Sequence, residues 1–184
     1  MKLLSSLLLL TLSACQASAP PVGPGPGGDS GPLNRQYPTL AACNAQPACP
    51  GEGCPQNAVG PPDQVVLNTT HCETLQLSFT TGAVVATDLG GQPELQIYLG
   101  GVAGLTRIEA SQDGVLFHQV GWIGDSTLPV PGGEQCRAQV INQRAQVHLR
   151  SCNYVPDVLV LRLIREQGAL LVDAVEALAL QGPS

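Results

Sequence analysis

Seven cysteines, three histidines and fourteen carboxylates are the reactive side chains of this 184-residue sequence, and the cysteines carry the clearest spacing. Six of them, Cys43, Cys49, Cys54, Cys72, Cys136 and Cys152, follow the N-terminal region. A zinc site needs cysteines and histidines gathered at short, regular intervals. Here the spacings are C-x5-C and C-x4-C, and His71, His118 and His148 are dispersed. An even number of cysteines in an exported chain reads instead as a disulfide framework. Cys136 and Cys152 flank a predicted hairpin and are expected to pair. The other four leave three arrangements, of which Cys43–Cys49 with Cys54–Cys72 is preferred.

The signatures of common active sites are missing. There is no G-x-S-x-G, no H-E-x-x-H and no phosphate-cradling Gly-Lys-Ser/Thr loop. The one glycine-rich run, GPGPGG at 23–28, has no strand before it and no helix after it. Paired carboxylates of the glycosidase kind meet only in the fold, so spacing is silent on them. The histidines read as solvent-facing or strand residues. The expectation is a protein without catalytic residues.

Cys15 is different from the other six. Met1-Lys2 gives a short positive start, Leu3 to Leu12 is apolar, and Leu12-Ser13-Ala14-Cys15 closes the run with small residues. That is the layout of an export signal. A leucine-rich stretch of ten residues is too short to cross a bilayer, which takes roughly 20 residues in a helix. The tetrapeptide resembles the bacterial lipobox, which implies cleavage before Cys15, lipid on its thiol, and a membrane partner reached through that anchor. Gln16 stands where an aspartate would resemble a retention signal, so the expected place is the cell envelope, on the outer membrane.

Cleavage would remove Lys2, the only lysine, leaving seven scattered arginines against fourteen acids. Nucleic-acid binding needs clustered cations and is not expected. Residues 15–36 hold Cys15 and a Pro/Gly-rich stretch with almost no apolar bulk. Such a stretch cannot bury enough surface to offset its ordering entropy, and it reads as a disordered tether. Residues 37–63 read as an irregular, disulfide-rich lead-in, and 64–184 as the folded domain.

In that domain the apolar pattern has a period of two. Leu75, Leu77 and Phe79 alternate with polar residues, as in a half-buried strand. Further strands are predicted at 64–67, 83–87, 94–99, 105–111, 115–121, 138–149, 157–165 and 170–180. Gly100-Gly101, Gly132-Gly133 and Gly168 are read as turns, and Asp113-Gly114 is a hairpin signal. The last segment has helical propensity as well, with strand preferred. About nine short strands indicate an all-β, antiparallel β-sandwich or jelly roll.

Three stretches, in order, resemble exported galactose-binding-domain-like (discoidin-like) jelly rolls. They are Ala58-Val59-Gly60-Pro61-Pro62-Asp63, then Ser111-Gln112-Asp113-Gly114-Val115-Leu116-Phe117 with Val120-Gly121, and Leu170-Leu171-Val172-Asp173-Ala174-Val175-Glu176-Ala177. The resemblance spans about residues 57–180 and implies a module that binds carbohydrate or another surface ligand through loops at one end. It also implies a structural calcium ion, for which Asp63, Asp88 and Asp173 are the candidate ligands. Leu171 and Glu94 depart from the acidic pattern, and calcium wants six to eight oxygens. Phe117 is expected to pack inward. For sugar contact the candidates are Trp122 and Tyr98, then Tyr154, with a buried plug the preferred reading of Trp122. The alternative is a structural or adhesion protein that docks an envelope protein through a sheet face. Mass spectrometry of the native protein should find a lipid-modified N-terminal Cys15 and no Met1; an unmodified Met1 with six reduced thiols would remove the anchor.

Overall fold

The computed structural model describes residues 33–44, 55–79, 84–85 and 92–180. Eleven described strands follow in chain order. They are β1 (Leu33–Gln36), β2 (Leu40–Cys43), β3 (Leu67–Asn68), β4 (Thr74–Ser78), β5 (Val84–Val85) and β6 (Leu95–Ser111). Then come β7 (His118–Gly124), β8 (Gln139–Ile141), β9 (Arg144–Val147), β10 (Asp157–Val158) and β11 (Val160–Leu180). Short 3-10 turns at Pro55–Ala58, Thr69–His71 and Glu134–Cys136 complete the described elements.

Two long strands organise the rest. β6 and β11 pair antiparallel from Val160↔Ser111 to Ala177↔Leu95. Midway, Gly168 lies opposite Gly104, and both have positive φ (+67° and +131°). A Cβ on Gly168 would stand 1.8 Å from the Ala103 carbonyl oxygen, and one on Gly104 would stand 2.0 Å from that of Gln167. Only glycine permits backbones this close. Register shifts at Arg165/Gln167, Leu171/Val172 and Val172/Ala174 add bulges, which bend and re-aim a strand.

The bend gives β6 and β11 different neighbours in their two halves. The first half of β11 pairs with β4, which carries β2, and the second half of β6 pairs with β7. On the other side of the bend, the second half of β11 pairs with β3 and β1, and the first half of β6 pairs with β9, which carries β8. The two limbs enclose one core. Leu75, Leu77, Ile108, Leu161 and Leu163 from the first limb meet Leu95, Ile97, Leu170, Val172 and Val175 from the second, all fully buried. At about 1.5–3 kcal/mol per buried large apolar side chain, this cluster is the main source of stability. The fold is an all-β antiparallel sandwich, as the sequence pattern led us to expect.

Several details differ from the sequence reading. Gly100-Gly101 and Gly168 do not end strands; they lie inside β6 and β11, because glycine that serves a tight turn also serves a crease. The segment 138–149 is two strands, β8 and β9, not one; they form the hairpin that Cys136 and Cys152 were expected to flank, closed by Asn142 and Gln143 at φ +49° and +60°. The sheet also begins before residue 64. β1 takes the last four residues of the presumed tether and β2 lies in the presumed irregular lead-in. Strand edges supply backbone hydrogen bonds to any neighbouring chain, whatever its side chains, and that is invisible to a hydropathy pattern.

The pairing Cys136–Cys152 is present. Cys43 bonds Cys72, not Cys49, so the preferred Cys43–Cys49 and Cys54–Cys72 pairs are both corrected. The reason is β2. It lies along β4 with Cys43 opposite Leu75, which brings the Cα atoms of Cys43 and Cys72 to 5.3 Å. Closing loops of 29 and 16 residues, the two bonds contribute about 3–4 kcal/mol each by loop-closure entropy. Cys49, Cys54, Asp88 and the Cys15 signal region lie outside the described residues.

Phe117 is half-buried, with the Arg162 guanidinium 3.4 Å from its ring centroid, and so is not the core residue expected. Asp113 holds its own turn. Its Oδ1 accepts the Val115 and Leu116 N–H groups at 2.8 and 2.9 Å, which with Ser111 keeps its carboxyl below the usual range.

The crease makes a graded prediction. Gly168→Ala should cost more than about 3 kcal/mol in denaturant melts, through steric overlap. Gly60→Ala, also at positive φ (+88°) but with nothing within 4 Å, should cost only about 1 kcal/mol of backbone strain. Equal losses would contradict the crease.

Candidate functional site

Alternation along β6 decides which side chains leave the core. Leu95, Ile97 and Leu99 are buried, so Gln96 and Tyr98 face outward from the second limb. β9 pairs Arg144 directly with Tyr98. The preceding Asn142-Gln143 turn is left-handed at both residues, which suits a two-residue hairpin following the right-handed sheet twist. It is held to β6 by the Leu99 N–H, which donates to the Gln143 carbonyl at 2.8 Å. From the opposite edge β1 brings Arg35, followed by Tyr37. These residues, with Pro62, Leu99 and Asp173, line a cleft of about 370 Å³. Arg35 and Tyr37 also border a second hollow, about 620 Å³, with Pro38, Val59 and Gly60.

The cleft is built around a buried carboxylate. Glu176 is fully buried, a position that a carboxylate keeps only with partners. The Tyr98 hydroxyl donates a short hydrogen bond to its Oε2, and Arg35 Nη1 lies 3.0 Å from its Oε1. Burial, then the bond to Glu176 and its charge, push the Tyr98 phenol up to about 12, against a smaller opposing effect from Arg144. The Glu176 charge likewise raises the Arg35 pKa. Tyr98 is therefore a neutral donor across the physiological range, with its proton directed inward. The Arg144 guanidinium carbon lies over the Tyr98 ring, 4.9 Å from its centroid, a cation–π contact.

Of the residues singled out from sequence, Tyr98 and Asp173 line this cleft. Asp173 is the extra residue of the Val172/Ala174 bulge. Its Oδ1 accepts the Asp63 and Gln64 N–H groups at 3.1 Å each, while Asp63 Oδ1 accepts the Val65 N–H at 2.9 Å. Asp63 and Asp173 are thus brought together, as partners in a turn whose Gln64 has positive φ (+69°). Amide N–H groups aimed at these oxygens favour an anion and oppose a cation there. Among the described residues no three His, Cys, Asp or Glu side chains gather as metal ligands. Asp63 and Asp173 bring two carboxylates towards the six to eight oxygens of a calcium shell, and the third candidate, Asp88, lies outside the described residues.

Trp122 is the buried plug and not a sugar platform. It is 5% exposed and packs with Val130 and Cys136 in a small cluster beside the Cys136–Cys152 bond. Tyr154 is exposed at a different hollow, beside Leu116 and His118. The residues missed from sequence are Arg35, Tyr37, Asn142, Gln143, Arg144 and Glu176. Glu176 stood inside the closing motif, where it read as part of a strand. Arg35 and Tyr37 gave no signal, because their neighbourhood had the composition of a linker.

The raised phenol makes a pH prediction. Because the folded value, about 12, exceeds the ordinary 10, folding favours the protonated form. The contribution is complete below pH 10 and is lost as pH rises through 12. Alkaline titration of tyrosinate absorbance should show one late-ionising tyrosine, absent in Tyr98→Phe. Ionisation of all tyrosines near pH 10 would contradict the buried contact.

No family model matches the chain, and no curated protein matches it. Among solved structures, a domain described as CBM32-1 from a family 31 glycoside hydrolase of Clostridium perfringens is similar, with a TM-score of 0.53 and 12% identity. The match covers 78% of this chain and 97% of that one. A second, CBM32-3 from a family 31 glycoside hydrolase of the same organism, gives a TM-score of 0.44 at 13% identity, covering 81% and 91%. At such identities the likeness is one of architecture. The chain has the fold of a galactose-binding-domain-like jelly roll.

Proposed function

We propose that this protein is a non-catalytic envelope lipoprotein, anchored through Cys15, whose β-sandwich binds carbohydrate in the Tyr98 cleft. The observation that carries the binding reading is the cleft itself. Two tyrosines, two arginines and the Asn142 and Gln143 carboxamides converge on a hollow of about 370 Å³, a size that suits a sugar residue or two. Sugars present hydroxyls that pair with such planar amide and guanidinium donors. Tyr37 adds an aromatic surface, and the similar solved domain, CBM32-1, is a carbohydrate-binding module (CBM).

The carboxylates argue against catalysis at this place. A glycosidase needs one carboxyl free to give a proton and another free to attack or activate water. Glu176 is buried and held by Tyr98 and Arg35, and Asp173 Oδ1 is held by two backbone N–H groups. Neither is presented to a ligand as an acid–base group.

A second reading has one observation in its favour. Val115 and Leu116 are 83% and 62% exposed at the tip of the Asp113-Gly114 turn, and Tyr154, which shares a hollow with Leu116, is 60% exposed. Exposed apolar groups of this kind suit docking to an envelope protein.

Glycan-array retention separates the two. Tyr37→Ala with Asn142→Ala should lower glycan retention at least tenfold with an unchanged melting temperature, and Val115→Ser with Leu116→Ser should leave it intact. Absence of any retained glycan on the wild-type protein would sink the carbohydrate reading and favour docking. Trp122→Ala should act differently, losing about 3–5 kcal/mol of stability because it empties a packed site.

A further inference from the structure

We propose that the ligand of the Tyr98 cleft is an acidic saccharide, recognised through a sugar carboxylate by Arg144. The inference rests on the carbohydrate reading and narrows it. Its starting point is that one face of the Tyr98 ring is already covered. The Arg144 guanidinium lies 4.9 Å over Tyr98, so that face cannot stack on a sugar ring unless Arg144 moves. The Tyr98 hydroxyl is also committed, donating inward to buried Glu176. The face under Arg144 and the hydroxyl proton of Tyr98 are both already engaged within the protein.

What remains are donors. A cation–π contact uses the charge of a guanidinium and not its N–H hydrogens, which form the planar fork that matches a carboxylate. The two arginines of the cleft differ in this respect. Arg35 is ion-paired to Glu176 at 3.0 Å, which offsets its charge. Among the described residues Arg144 has no carboxylate within ion-pair distance; its contact is the Tyr98 ring. Asp173, the other acid on the wall, has Oδ1 occupied by two backbone amides. Asn142 and Gln143, on the turn leading into Arg144, add carboxamides beside it. The net charge of −6 opposes acidic ligands at long range, but screening at physiological salt acts within about 8 Å. At contact distance Arg144 decides.

The test measures binding of the mature chain to oligomers of galacturonate, glucuronate and mannuronate, and to the carboxyl-reduced counterpart of each. A neutral glycan panel and sulfated oligosaccharides are run beside them. At least one acidic oligomer should bind tenfold or more tightly than its reduced form. Arg144→Gln should abolish that difference without shifting the melting temperature, and Arg144→Lys, which keeps charge but not the fork, should restore only part of it. Equal binding of acidic and reduced forms, or a preference untouched in Arg144→Gln, would overturn the assignment to a carboxylate at Arg144. So would sulfated sugars binding as tightly as the uronates. If neutral glycans bind while the acidic preference is missing, only this inference fails; if nothing binds, the carbohydrate reading fails with it.

Discussion

β6 and β11 run together along almost their whole lengths, and at Gly104 and Gly168 their backbones approach too closely for any side chain. Everything else in the sandwich is arranged around that contact. Strands of 17 and 21 residues could not both stay flat and bury an apolar face. Creased at the glycine pair, each belongs to two limbs, and the alternating leucines, isoleucines and valines of those limbs close on one another. The order of β4 and β2 on one limb, and of β1, β9 and β8 on the other, follows from which edge each half of the long pair leaves open.

The cleft depends on the same arrangement at one remove. β6 places Tyr98 on the outer face of the second limb, β11 places Glu176 beside it, and β1 closes over the edge with Arg35. A buried carboxylate adds little net stability even when paired, since desolvating the charges offsets much of the attraction. Its effect is on geometry. With one oxygen holding the Tyr98 hydroxyl and the other facing Arg35, Glu176 sets the direction of a phenol proton and draws β1 onto the sheet. Arg144, on the solvent side of the same ring, is left for other partners.

Several polar and aromatic residues serve the scaffold. Asp113 satisfies the backbone of its own hairpin turn, Asp173 pins the loop at Asp63 and Gln64, and Trp122 seals the Cys136–Cys152 region. Carboxylates at chain reversals meet unpaired N–H groups first, because those donors are a fixed short distance away. The resemblance to jelly-roll modules is therefore carried largely by turn and core chemistry. That explains why it marks architecture better than ligand.

What the sequence determined by itself was local and periodic. The period-two pattern around Leu75, Leu77 and Phe79 set strand structure and which face is apolar, the Asp113-Gly114 step set a hairpin, and the flanking positions of Cys136 and Cys152 set their bond. Each depends on residues near in the chain. The tertiary structure decided what depends on distant ones. Whether a glycine such as Gly168 turns the chain or creases it depends on the residue facing it, here Gly104. Cys43 meets Cys72 because β2 lies along β4, and Arg35 becomes a site residue because β1 found an open edge on β11. Backbone hydrogen bonds at a sheet edge accept almost any side-chain pattern, so composition could not show that a proline- and glycine-rich segment ends in a strand, nor that its arginine would come to rest against Glu176.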